Sequence, residues 1–452
     1  MPVTLHLSAS TPNVAFTYMQ FIVSGSTSGS NYTENQYKFI MDVYESGSSN
    51  YIARLKQPPN KGYSAVFNPA DVFQENVEFD PVWEITGSVV STGSLKNYVL
   101  QFGEQYGTSP SSSITAYPNQ VTYEMAIIPG VDNSNDFGIG IFDFQIPLES
   151  EVLTDMPSAT DGTGTRVSGG DWENITYLEL DDYMTLSTIH TGSVEEARII
   201  VSDNEGTDLA GITTNFPTGT LPFTVNHFGC GPKNIIERGD ALSTAIQNVS
   251  ASYVTVVFDV QGTGQDIQYR LSPNYGSLPQ SGAGGLNKST FNKPDQCGEK
   301  TRFAWINRYG VYDYYSVYNP VRKRTEIEKE QITESRINYW LNPTTVGNLN
   351  IGSQKKEGRG LTDLYKKYKD IYQISTTYLP EVKANWMKFM FFSPSVYIQT
   401  DNGFVPIIIT NNQYKVNTTQ ASNKLFQYDI EFVYANARRS NNYVGKLEYD
   451  AQ

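Results

Sequence analysis

The stretch Arg302–Asn319 reads RFAWINRYGVYDYYSVYN and is the densest aromatic run in the chain. Phe303 and Trp305 precede a turn signal at Asn307–Gly310, and an alternating run follows at Val311–Val317. That pattern predicts two strands, or one strand with a bulge at Gly310. Tyr312, Tyr314 and Tyr318, with Val311 and Val317, put large side chains on both faces. Such a strand is buried between two layers, or has one face in the core and the other against a partner subunit. A core strand pair is the preferred reading; Trp305, Tyr309, Tyr312, Tyr314 and Tyr315 are interface candidates on the alternative one, and an aromatic ligand platform is the third.

Outward from this run the chain is β-rich on the N-terminal side and more mixed and basic on the other. At 452 residues it exceeds one ordinary core, and about two to four domains are expected. Only 18% of residues are charged, below the usual quarter. Ser, Thr, Asn, Gly and Tyr fill the gap, a composition suited to turn-rich β structure with uncharged polar surfaces. The formal net charge of −14 argues against a general nucleic-acid binder, which needs a basic face. The charge is uneven: from Pro320 onward Lys and Arg exceed Asp and Glu, and the remainder carries −19. An acidic front and a mildly basic rear suit head-to-tail docking of copies or docking of stacked rings, with ordinary variation between domains as the preferred reading. Two cysteines, Cys230 and Cys297, and three histidines leave too few ligands for a zinc site. Whether the cysteines pair stays open. No secretory leader is read at the N-terminus, and no apolar stretch is long enough for a membrane span.

Three regions are expected: 1–150, 151–320 and 321–452. In the first, strands are predicted at Val14–Val23, Tyr37–Tyr44, Tyr51–Leu55, Trp83–Thr92, Tyr98–Phe102, Val121–Ile128 and Gly138–Ile146, with a helical turn at Ala70–Glu75. In the second, strands are predicted at Ile175–Leu180, Met184–His190, Glu195–Val201, Tyr253–Val260 and Ile267–Leu271. There Asp203–Gly206 reads as a hairpin turn, Asp240 as the cap of a short helix, and Ser272–Lys300 as a long loop. In the third, Thr325–Tyr339 (TEIEKEQITESRINY) reads as an exposed strand, and Thr362–Tyr378 as strand or helix. A helix begins at Pro380, with Val382, Trp386 and Phe389 on one face, and stops at Ser393-Pro394. Strands at Val396–Gln399, Val405–Thr410, Gln413–Val416 and Leu425–Tyr434 close the chain, the first two joined through Asp401-Asn402-Gly403.

Candidate chemical sites are weak by residue type. Gly282–Thr290 (GAGGLNKST) lacks the glycine directly before lysine that lets a phosphate loop wrap its ligand. Asp132–Gly138 has oxygen side chains at alternate positions, as a hard cation requires, but also suits an Asx-rich turn, and cation binding there stays open. Glu173, Glu179, Asp181 and Asp182 cluster near Trp172, and a glycosidase would need two carboxylates about 5–10 Å apart. His190 and His227 carry no flanking nucleophile pattern, and His227 reads as a satisfied strand residue. Arg322-Lys323-Arg324, Lys355-Lys356 and Lys366-Lys367 with Lys369 are the basic clusters. The last is interleaved with Tyr365, Tyr368 and Tyr372, which suits base stacking or, preferably, a solvated face or contact with an acidic subunit.

Three patches carry a resemblance. Ala304–Gly310 (AWINRYG) followed by Asp313-Tyr314-Tyr315 resembles a Trp-x-Asn-x-x-Gly turn before an aromatic strand in tailed-phage virion structural proteins. Tyr37–Tyr44 (YKFIMDVY), Ala53–Lys56, the following prolines and Val66–Pro69 are similar to such proteins, where this order forms an immunoglobulin-like sandwich. Leu379–Glu381, Trp386, Ser393–Ile398, Pro406–Ile409 and Tyr428–Phe432 resemble a C-terminal α+β module of phage tail-associated proteins. The resemblance implies a mainly β fold, with tandem immunoglobulin-like sandwiches followed by a smaller α+β domain. It implies a non-enzymatic virion protein, made in the host cytoplasm, forming a ring or hub in the tail or neck. Its expected partners are its own copies and other tail or neck proteins, with no cofactor, no membrane, and nucleic acid only as a lumen lining. The interface candidates then also include Trp386, Lys366 and Lys367. Rival readings are a host-recognition fibre or spike binding surface glycans, and a depolymerase using Glu179 and Asp181.

Overall fold

The computed structural model describes residues 4–6, 14–16, 21–25, 35–47, 50–77, 83–90, 95–107, 109, 115–116, 121–130, 152–154, 156, 176–190, 196–203, 206–215, 224–259, 265–271, 300–333, 338–341, 349–352, 361–379, 381–400, 403–411, 417–418 and 426–435. The expected strands Gly138–Ile146 and Gln413–Val416, and the Asp132–Gly138 and Gly282–Thr290 loops, lie outside them. So do Trp172, Glu173, Cys297, Lys355-Lys356 and Ser272–Glu299. Strands dominate the described residues, so the chain is mainly β. It divides into two compact units: residues 1–288 with 302–316 and 379–394, and residues 289–301 with 317–378 and 395–452.

In the first unit, period-two patterning builds the first core. Along Asn35–Glu45 the buried Tyr37, Phe39, Met41 and Val43 share one face. The strand pairs with Tyr51–Gln57 on one side and Lys96–Gly107 on the other. Val121–Ile128 extends this sheet antiparallel and Val14–Phe16 then adds in parallel. A second antiparallel sheet, Thr4–His6, Phe21–Ser24 and Ser64–Phe67, shares the core. Phe21 and Phe67 of that sheet meet Phe102 of the larger one, with ring centroids 6.0 and 6.2 Å apart. The short helix α1, Ala70–Gln74, sets Phe73 against Tyr98.

A five-stranded sheet follows in the order Thr176–Leu178, Gln265–Leu271, Tyr253–Asp259, Glu196–Ser202, Asp208–Asn215. Its last pair is the hairpin expected at Asp203–Gly206, where the Asp203 and Gly206 amides close the turn. Strand Asp208–Asn215 was not anticipated; its alternation is between exposed and half-buried positions, which leaves little hydrophobic signal. Thr185–His190, Thr224–Gly229 and Ser88–Val90 form a separate three-stranded sheet. Only that last strand survives from the expected Trp83–Thr92, whose first residues form turns. Two short helices come next, α2 at Pro232–Arg238 and α3 at Ala241–Ile246. Asp240 caps α3, accepting from the Leu242 and Ser243 amides at 3.0 and 3.2 Å as expected.

Helix α4, Glu381–Phe392, belongs to the first unit. The expected apolar face is corrected: Val382 is 54% exposed, and the buried positions are Lys383, Ala384, Trp386, Met387 and Met390. The i, i+4, i+7 set chosen from sequence sits at the edge of a stripe centred one residue later. Lys383 hid that stripe by standing where an apolar residue is normally read.

The second unit holds a run of strands in the order Val396–Thr400, Gly403–Ile409, Asp429–Tyr434, Leu361–Ser375, Arg322–Thr333. Ile374, Ile398, Ile407, Ile430 and Phe432 are buried there. Tyr372 stacks on Phe432, centroids 5.5 Å apart and planes inclined by 15°. The expected exposed strand within Thr325–Tyr339 is borne out as Arg322–Thr333, and the ambiguous Thr362–Tyr378 segment is a strand.

Candidate functional site

The aromatic run forms the hairpin that sequence suggested, with strands Thr301–Ile306 and Tyr312–Val317. Asn307 organises the turn. Its amide donates to Val311 O at 2.8 Å, its side-chain oxygen accepts from the Tyr309 and Val311 amides at 2.9 and 3.3 Å, and its Nδ2 donates to Leu153 O at 2.8 Å. Asn307 is buried, so each of these groups would otherwise forfeit its water. Gly310 closes the turn to Asn307 O at 3.0 Å with φ +79°. An added Cβ there would lie 1.7 Å from Pro129 O. The Trp-x-Asn-x-x-Gly spacing therefore has a mechanical reason at each of its three defined positions.

The interface candidates divide by burial. Trp305, Tyr312, Tyr314 and Trp386 are 0, 6, 2 and 2% exposed within a single chain. Within a single chain they are core, as the preferred reading of the aromatic run expects, because their rings find partners inside the first unit. Trp305 and Trp386 lie 5.2 Å apart at 49°, Tyr315 meets Trp386 edge-on at 5.8 Å, and Tyr312 meets Trp83 at 5.4 Å. Tyr309 and Tyr315 are half-buried. The Arg308 guanidinium lies 4.7 Å from the Tyr309 ring centre, and its Nη2 donates to the Tyr309 hydroxyl at 2.7 Å. Lys366 and Lys367 lie on strand Leu361–Ser375, opposite Lys329 and Glu328 in register.

Polar groups tie this hairpin down in ways that sequence separation concealed. Asp313 Oδ2 accepts from Trp386 Nε1 at 2.7 Å, and Thr154 Oγ1 donates to Asp313 Oδ1. Arg302 is 1% exposed and Asp182 0%, with the guanidinium Nε 3.6 Å from the carboxylate. Arg302 also donates to Tyr183 O at 3.2 and 2.6 Å and to Ser316 Oγ at 2.9 Å, and stands 5.3 Å from the Tyr314 ring centre. Asp182 Oδ2 accepts from the Glu179 amide at 2.7 Å. Of the acidic cluster singled out for catalysis, Asp182 thus faces inward to a buried arginine while Asp181 is exposed.

His227 is the satisfied strand residue expected. Its Nδ1 is 2.8 Å from Ser187 Oγ, the two residues are cross-strand partners, and both are buried. Cys230 is wholly buried, and burial pushes its thiol far above the ordinary range. Among the described residues no cluster of three His, Cys, Asp or Glu is arranged to hold a metal ion. No helix among them is long and apolar enough to cross a membrane.

Lys383 is the least expected buried group. It is 9% exposed, and burial lowers its ammonium pKa from 10.5 to about 8. Between about pH 8 and pH 10.5 the unfolded chain holds the extra proton, so stability rises with pH across that window and below it the cost of charging is fully present. Lys383→Met is expected to stabilise the protein at pH 7 by about 1–3 kcal/mol. That gain should shrink towards zero above about pH 10. Urea unfolding followed at several pH values checks both the sign and the window.

The surface offers a different kind of site. From Val321 to Ile327 every side chain is exposed, as are Lys329 and Lys369. Lys323 pairs with Asp370 at 2.8 Å and Arg324 with Glu326 at 3.0 Å. The Asp370 contact raises the Lys323 pKa and lowers that of Asp370. The Arg322–Arg324 cluster is therefore a solvated face already partly answered by carboxylates, which weakens it as a phosphate track. No protein-family model matches the chain, and no curated protein is similar to it.

Proposed function

We propose that this chain is a non-enzymatic structural component of a tailed-phage virion that assembles as a ring or hub in the tail or neck. The observation that carries the reading is the Trp305-x-Asn307-x-x-Gly310 turn, one of the three patches that together resemble such proteins. Each of them has a geometric task, so the likeness rests on a built element rather than on aromatic composition. Two mainly antiparallel sheets around one core in the N-terminal part are compatible with an immunoglobulin-like sandwich. On this reading residues 321–452 are the α+β module, with helix α4 counted in the first unit.

The mechanism is assembly. Rigid sheets present fixed faces, copies meet head to tail by unlike faces, and rotation closes the ring. Stable contacts of this kind bury more than about 1,200 Å² each. The core position of Trp305, Tyr312, Tyr314 and Trp386 moves the expected contacts to exposed and half-buried surface. The test is the solution mass of the recombinant chain with negative-stain images of the same fraction. Rings or large symmetric oligomers are expected. A trimer with an elongated outline favours the host-recognition fibre or spike instead, and a monomer at all concentrations overturns self-assembly.

A further inference from the structure

We propose that the paired strands Arg322–Thr333 and Leu361–Ser375 form an assembly arm that docks, through its charged side chains, on the acidic N-terminal region of a second copy of this chain. The inference rests on the self-assembly reading and assigns it a segment and a partner surface.

Three observations carry it. First, strands Arg322–Thr333 and Leu361–Ser375 pair over their whole length, from Arg322↔Gln373 to Thr333↔Leu361. The next strand, Asp429–Tyr434, pairs only with Tyr372–Ser375. Among the described residues Arg324–Thr333 and Leu361–Ile371 thus run on as a two-stranded ribbon, about 30 Å long at the rise of a strand. Consecutive exposed residues from Val321 to Ile327 mean that both faces of the outer strand are open, with Ile327 57% exposed. A two-stranded ribbon is marginal alone in water and gains most of its stability from a covering surface.

Second, the charge is complementary. Strands Arg322–Thr333 and Leu361–Ser375 carry seven Lys and Arg against five Asp and Glu, a net of +2. Residues 1–288 carry eleven Lys and Arg against thirty-one Asp and Glu, a net of −20. Opposed fields of this kind steer encounter and fix register. Third, Lys329 and Lys366 occupy directly opposite register positions. Like charges placed so are destabilising and an acidic surface laid over them reverses the sign, while the neighbouring positions Glu328↔Lys367 and Glu326↔Lys369 are already of opposite charge. The charged outer strand also discourages another strand from adding to its edge, so the contact is made through side chains on the faces.

The experiment uses the full chain and the triple variant R324E/K329E/K369E, all at exposed positions. Mass by analytical ultracentrifugation is followed from low salt to about 0.5 M, where the Debye length falls below about 5 Å. Expected is a wild type that assembles at low salt and weakens steeply as salt rises. The variant should have an unchanged circular-dichroism spectrum and melting temperature and need at least about tenfold more protein to assemble. In parallel, isotope-heavy and isotope-light wild-type chains are mixed and treated with a zero-length carboxylate–amine cross-linker. Mixed-isotope links from Lys323, Lys329 or Lys369 to Asp or Glu of residues 1–288 are expected, and this readout stands even where the variant misfolds. A variant that assembles like wild type, or mixed links that omit the arm, overturns the arm while leaving self-assembly intact. A wild type that never assembles overturns both. Arm-dependent, salt-sensitive binding of a labelled oligothymidine without arm links between copies makes nucleic acid the partner and overturns the proposal.

Discussion

Gly310→Ala is expected to abolish stable folding, with a loss above about 4 kcal/mol, the range reserved for backbone and core failures. Two costs add. The residue sits at φ +79°, where any side chain other than glycine's costs about 1–2 kcal/mol. The larger cost is contact: the new Cβ would stand 1.7 Å from Pro129 O and 2.3 Å from Pro129 C. These are backbone atoms, and no rotamer change relieves them. They also belong to the segment after strand Val121–Ile128, so relief would displace a strand whose Met125–Ile128 are buried in the core. Gly310→Asn separates the two costs. Asparagine tolerates the left-handed region but brings the same Cβ, so it is expected to fail as well. The measurement is soluble yield with thermal unfolding by circular dichroism. A Gly310→Ala protein melting within a few degrees of wild type would show that the Pro129 approach does not hold.

Trp305→Ala is expected to cost about 3–5 kcal/mol, the usual penalty for truncating a fully buried large aromatic. Trp305 has no exposed surface, and its ring packs 5.2 Å from that of Trp386, which is itself fixed by its bond to Asp313. The cavity would open beside Trp386, whose bond to Asp313 holds it in place and limits collapse. Trp305→Phe should cost much less. It keeps most of the apolar volume and removes Nε1, a buried donor without a hydrogen-bond partner among the described residues. Denaturant unfolding of both variants gives the two free energies. Equal losses for Ala and Phe would mean that Nε1 is satisfied and the indole is needed as such; no loss for Ala would remove Trp305 from the core.

The core position of Trp305 also shows why the interface reading could not be decided from sequence. A strand with aromatics on both faces needs two covering layers, and nothing in its own residues says whether the second comes from the same chain. Here Trp83, Trp386 and Asp182, all remote in sequence, supply cover and counter-charge within one unit. The stripe of α4 was displaced for a related reason: Lys383 occupies a position that local rules assign to an apolar residue, and only the surrounding packing tolerates it.

Local chemistry accounts for what could be read in advance. Alternation along Tyr37–Tyr44 and Val121–Ile128, the Asp240 cap, the Asp203–Gly206 turn and the Asn307–Gly310 turn each depend on residues a few positions apart. Backbone geometry and side-chain reach act at that range, so the mainly β class and many strand positions followed from the residues alone. Tertiary structure decided which strands share a sheet, that Arg302 and Asp182 meet across 120 positions, and that the aromatic run is core. It also decided that Arg322–Thr333 pairs with Leu361–Ser375 and that Val321–Ile327 is exposed residue after residue. Those outcomes depend on which of several equally apolar or equally charged partners comes closest, and burial, which sets the strength of every such contact, exists only once the chain has closed.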